Sequence, residues 1–153
     1  MDVPPVLRRA LPWLGGAVVV QGGLALTGRV LARRSDEGDD GSAGIRRFRL
    51  AGGTQLRPTN PALSRLRLDL VMAGADVDLG RVPRVPGGVD LTVRAFLAGA
   101  EIRVPGDWRV WLHSAGPGTV SVDPRLEHTD DERGADLRVH AVVGAAGIAL
   151  ERA

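Results

Sequence analysis

From Phe48 onward the chain repeats one phrase: an alternating apolar strand, a cluster of Gly and Ala, then a second alternating strand. The copies are FRLAGGTQL from Phe48, LDLVMAGADVDL from Leu68, LTVRAFLAGAEIRV from Leu91, WRVWLHSAGPGTVSV from Trp108 and LRVHAVVGAAGIAL from Leu137. Their glycines Gly52, Gly74, Gly99, Gly116 and Gly144 recur at intervals of 22, 25, 17 and 28 residues. One strand pair cannot bury its apolar face alone, so copies of this kind stack on one another and share a continuous interior. The spacing therefore predicts an all-β domain, either a short solenoid-like stack or a sandwich of Gly-cornered strand pairs.

Within a copy the side chains alternate with period two, as in a half-buried strand. Leu91, Val93 and Ala95 face one way and Thr92 and Arg94 the other; Ile102 and Val104 alternate with Glu101 and Arg103. The five glycines fall where each strand breaks, and a residue without a side chain permits a positive φ or a tight corner there. Turn chemistry separates the copies: Pro83, Pro86, Gly87 and Gly88, then Pro105 and Gly106, then Pro124 and the charged loop from Glu127 to Gly134. With only five aromatic residues, three Trp and two Phe, the interior has to be built from Val, Leu, Ile and Ala.

Ahead of the repeats, Ala10 to Gly28 is a run of nineteen uncharged residues between Arg8-Arg9 and Arg29. As a helix it would be about 29 Å long, close to the ~30 Å of a hydrocarbon core. Its seven Leu and Val supply only roughly −2 to −4 kcal/mol toward insertion, and Pro12, Gln21 and two Gly-Gly pairs work against it. Residues 1–34 thus read as an apolar N-terminal helix that spans or embeds in a membrane, with a helix packed on the domain and a signal sequence as the other readings. Under the first reading the heavier Arg load after the segment places the C-terminal domain in the cytoplasm; the alternative location is wholly cytoplasmic. Residues 35–44, SDEGDDGSAG, have the composition of a solvated acidic linker, and their carboxylates miss the spacing of a calcium loop. The β-repeat domain is expected over 45–153.

The inventory for chemistry is thin: three His, no Cys, no Tyr and no Lys. Without cysteine there is no disulfide, thiolate nucleophile or Cys-bearing zinc site. His113 precedes Ser114 with no GxSxG elbow around them. Asp76 and Asp78 share a strand face but have the spacing of any alternating strand, and His128 with Asp130, Asp131 and Glu132 reads as a solvated loop. No phosphate-cradling GxxxxGK[ST] occurs, and a net charge of +2 is no nucleic-acid footprint. The expectation is a protein that is not an enzyme and has no catalytic residues, no metal and no cofactor. The candidate surface lies elsewhere: if Trp108, Val110 and Leu112 point inward, Arg109, Trp111 and His113 share the outer face, and an aromatic beside Arg is the composition of a binding hot spot.

Across AGADVDL from Ala73, VPGGVDLTVRAFLAGAEIRVP from Val85 and DWRVWLHSAGPGTVSV from Asp107, the pattern of corner, acidic-apolar strand and Val-Pro resembles the C-terminal domain of LiaF-type cell-wall-active antibiotics response proteins. Phe96 to Gly99 with Glu101, Ile102, Val104 and Pro105 is the nearest copy. The resemblance implies a negative regulator of envelope-stress two-component signalling, acting on a protein partner such as a membrane histidine kinase and reaching the membrane through its N-terminal segment. The other expectation is a self-assembling β scaffold at the cell envelope, because the ends of a solenoid present strand edges that can pair between copies into a homo-oligomer.

Overall fold

The structure, a computed structural model, describes residues 35–153. Eleven strands follow in chain order: β1 (Gly44–Arg49), β2 (Gly52–Leu56), β3 (Arg65–Val71), β4 (Ala73–Asp78), β5 (Val89–Phe96), β6 (Gly99–Val104), β7 (Arg109–Ala115), β8 (Thr119–Val122), β9 (Glu127–His128), β10 (Leu137–Gly144) and β11 (Gly147–Arg152). They form two sheets, one ordered β1-β3-β5-β10-β7-β9 and the other β2-β4-β6-β11-β8. Neighbours within each sheet run parallel. Each repeat supplies one strand to each sheet, so the domain is all-β, a short two-sheet solenoid of five rungs. The expected N-terminal helix lies outside the described residues.

The rungs do not stack in the order of the chain. The last repeat, β10 and β11, enters between the third and the fourth: β10 pairs with β5 on one side and β7 on the other, and β11 with β6 and β8. After β8 the chain pairs briefly outside β7 as β9, then turns back into this slot. The return is fastened at its mouth, where the Asp136 carboxylate accepts the Arg109 backbone N–H at 2.9 Å and the Arg138 guanidinium binds Asp90.

Register lines up the inward residues across rungs, as in Leu66 to Leu91 to Val139 to Leu112. The interior is aliphatic with one large aromatic, Trp108, at 1% exposure, and no polar or charged residue is buried among those described. A core filled this way is held by apolar area, at roughly 25 cal/mol per Å² removed from water.

The corners differ in detail from the glycine reading. Gly52 and Gly116 take a positive φ, 93° and 104°, and a Cβ on Gly116 would collide with the Val143 carbonyl. In the three middle rungs the left-handed residue is Met72, Leu97 or Ala145, at 51°, 49° and 46°. Gly74, Gly99 and Gly144 sit beside those corners, inside β4, at the start of β6 and at the end of β10. Of the three, packing requires a small residue at Gly144 alone: it lies under the Phe96 ring, which a Cβ would meet at 2.9 Å, whereas a Cβ on Gly74 or Gly99 would meet nothing within 4 Å.

The acidic stretch is folded onto the domain. Glu37 and Arg46 exchange backbone hydrogen bonds in an antiparallel bridge, and the Asp36 carboxylate accepts the Phe48 N–H at 3.0 Å while pairing with Arg49 at 2.8 Å. The linker expected over 35–44 therefore covers the free edge of β1. Its carboxylates and backbone supply the partners that an edge strand lacks.

Candidate interaction surface

The outer face of the six-stranded sheet carries a row in register, Arg46, Arg67, Thr92, His140 and His113. Trp108 and Val110 are buried and Leu112 partly so; Arg109 and His113 are exposed and Trp111 half-buried on the opposite face. The structure thus places Arg109, Trp111 and His113 on one outer face, and it adds a residue from distant sequence. The Trp111 indole stacks on the His113 ring at 6.1 Å and 14°, and His140 of the inserted β10 meets it edge-on at 5.1 Å and 61°. Such aromatic pairs contribute about 0.5–1.5 kcal/mol beyond their buried area and hold the indole in one orientation. Arg109 leans away from this cluster toward Asp136, its Nε 3.7 Å from the carboxylate.

Nothing near Trp111 in the chain points to His140, because the contact depends on β10 lying beside β7. Only the alternation in LRVHAVVG identifies His140 as outward-facing.

The other singled-out residues lie apart. Asp76 and Asp78 stand on the outer face of β4, where Arg103 approaches Asp76 at 3.8 Å and pairs with Glu101 at 2.6 Å; that Glu101 bond, first, and the Asp76 charge hold the guanidinium's pKa up. His113 and Ser114 point to opposite faces of β7. His128, at the end of β9, lies 3.8 Å from Asp130 in the loop that follows, and among the described residues no three His, Asp or Glu side chains are grouped so as to hold a metal ion.

A second surface lies further along the same sheet. Phe48, Val71, Phe96 and Val142 rim a shallow hollow of about 500 Å³ beside Arg67 and Arg94. Asp69 at its floor pairs with Arg67 at 3.0 Å and Arg46 at 3.7 Å, and Arg94 has no carboxylate partner among the described residues.

Comparisons with known protein families, curated proteins and solved structures find no match to this chain.

Proposed function

We propose that the chain is a non-catalytic regulatory domain that works through surface contacts with a membrane signalling protein, as its resemblance to LiaF-type regulators implies. The observation that carries this reading is the Trp111, His113 and His140 cluster, an oriented aromatic surface of the kind that anchors protein contacts. The aliphatic interior and the pairing of outer-face carboxylates with arginines also support it, since catalysis needs ionisable groups converging in a cleft. Association with the membrane belongs to residues 1–34; among the described residues no helix is long and apolar enough to cross a bilayer. The test is reconstitution of the full-length protein with a membrane histidine kinase of its host, reading autophosphorylation. The protein should lower it, and Trp111→Ala should restore it while shifting the melting temperature by only a few degrees, because the indole is half outside the fold. An indifferent kinase, or a Trp111→Ala protein that fails to fold, overturns the reading.

One observation favours the scaffold reading as the second: β2 and β8 end the five-stranded sheet with no strand beyond them among the described residues. Filaments that grow with protein concentration would select it over the regulator.

A further inference from the structure

The two narrow sides of the solenoid have opposite chemistry. On the side of the corners, residues 50–53, 71–75, 96–100, 115–118 and 144–148 contain no charged residue. On the other side, loops 57–64, 79–88, 105–108 and 123–136 carry seven carboxylates and five arginines. Five rungs make the uncharged side about 19 Å long at ~4.8 Å per strand. It is also proud. Left-handed φ at Met72 and Leu97 turns their side chains outward, to 59% and 52% exposure, and Phe96 and Val142 beside them are 54% and 53% exposed. L-residues adopt that conformation at a cost, so both corners hold large apolar side chains in water where glycine would relieve the strain. Toward the five-stranded sheet the side falls away to Gly53, Gly74, Gly99 and Gly147, in register. Toward the six-stranded sheet it is bordered by Arg94, which has no carboxylate partner among the described residues, and by Arg46 and Arg67, which share the single carboxylate of Asp69.

We propose that this apolar edge, tipped by Met72, Leu97 and Phe96 and bordered by arginines, rests in the interfacial layer of an anionic lipid bilayer. A convex apolar ridge with a cationic border suits a surface that is apolar beneath and anionic above. The net-acidic loops then face away from the lipid charge. The chain's path fits: it arrives at Ser35 and Asp36 beside Phe48 and Arg49, at the corner end of β1, so the described domain begins at this edge. The proposal deepens the membrane-association reading and rests on it; it fixes which side of the domain faces the lipid and leaves the Trp111 surface free for a protein.

The chain has no cysteine, so a single introduced one takes a polarity-sensitive fluorophore cleanly. Full-length Met72→Cys and Leu97→Cys report on the edge, and Arg81→Cys, on the far side, is the control. With vesicles of phosphatidylcholine containing roughly 30% phosphatidylserine, the labels at 72 and 97 should shift to the blue and lose about three-fold in quenching by aqueous iodide, while the label at 81 stays unchanged. Met72→Asp with Leu97→Asp, placed in the Phe96→Cys protein, should abolish the shift at 96; both positions are exposed, so the fold tolerates them. If the protein floats with the vesicles but labels 72 and 97 quench like label 81, the edge is wrong and the tether stands. If it does not float, both fail. Labels shielded before any lipid is added would show the edge covered by the chain itself or a second copy, and that too overturns the proposal.

Discussion

The position of the last repeat makes an unusual demand on the C-terminus. In a solenoid stacked in chain order β11 would be the end rung and would fray; here it lies between β6 and β8. Leu150 is the residue to perturb. It is 1% exposed and sits in register between Ile102 and Val122. Leu150→Ala removes three carbons worth about 0.8 kcal/mol each in transfer, and residual cavities raise buried Leu→Ala losses to ~2.7–5 kcal/mol. Val122 is only partly buried and can close in, which puts the expected loss near the lower end, about 3 kcal/mol. With a urea m of roughly 2 kcal/mol per M, the midpoint falls by about 1.5 M in a single transition. Native-state hydrogen exchange is the companion measurement: amides of Ile148 and Leu150 should be among the slowest, opening only with global unfolding. A loss under about 1 kcal/mol, with those amides exchanging like a frayed end, would refute the intercalated order.

Two further outcomes follow from the edges and turns. Asp36→Ala frees the Phe48 N–H and the Arg49 guanidinium; it should cost about 1–2 kcal/mol and raise self-association in light scattering as the β1 edge opens. The Asp123 carboxyl is held well below the usual carboxylate range, chiefly by the Arg125 side chain and then by its backbone N–H. A lowered folded pKa stabilises above the unfolded value of about 3.9 and is lost as pH falls below it, so Asp123→Asn should lower stability at neutral pH and flatten the acid limb, with the two proteins converging below about pH 4.

The rungs themselves are legible in the sequence. Alternation in LTVRAFL and EIRV assigns the inward residues, and the turn residues around Pro83 to Gly88 and at Pro105 mark the strand ends. Three features are not legible, each for a physical reason. Order of stacking is invisible because every repeat offers the same kind of apolar face; the true neighbours are marked by contacts between distant residues, such as the Arg138 and Asp90 pair, 48 residues apart. The left-handed residues Met72, Leu97 and Ala145 escape a reading that looks for glycine wherever φ is positive. The acidic stretch has the composition of a linker, yet a carboxylate satisfies a free strand N–H as well as it solvates a loop. Alternation alone places Trp111 on the outer face, but its His140 neighbour depends on the stacking order.

Out-of-order stacking also ties closure of the fold to the translation of β10 and β11. When the first four repeats have been made, β5 and β7 each have an unmatched flank waiting for a strand that has not yet been translated. A chain cut short between β8 and Leu137 would leave β5, β6, β7 and β8 each with an open parallel edge and a slot unfilled between them. Unpaired edges and uncovered apolar surface of that kind are what proteases and chaperones act on, so the strands β10 and β11 close the fold against both.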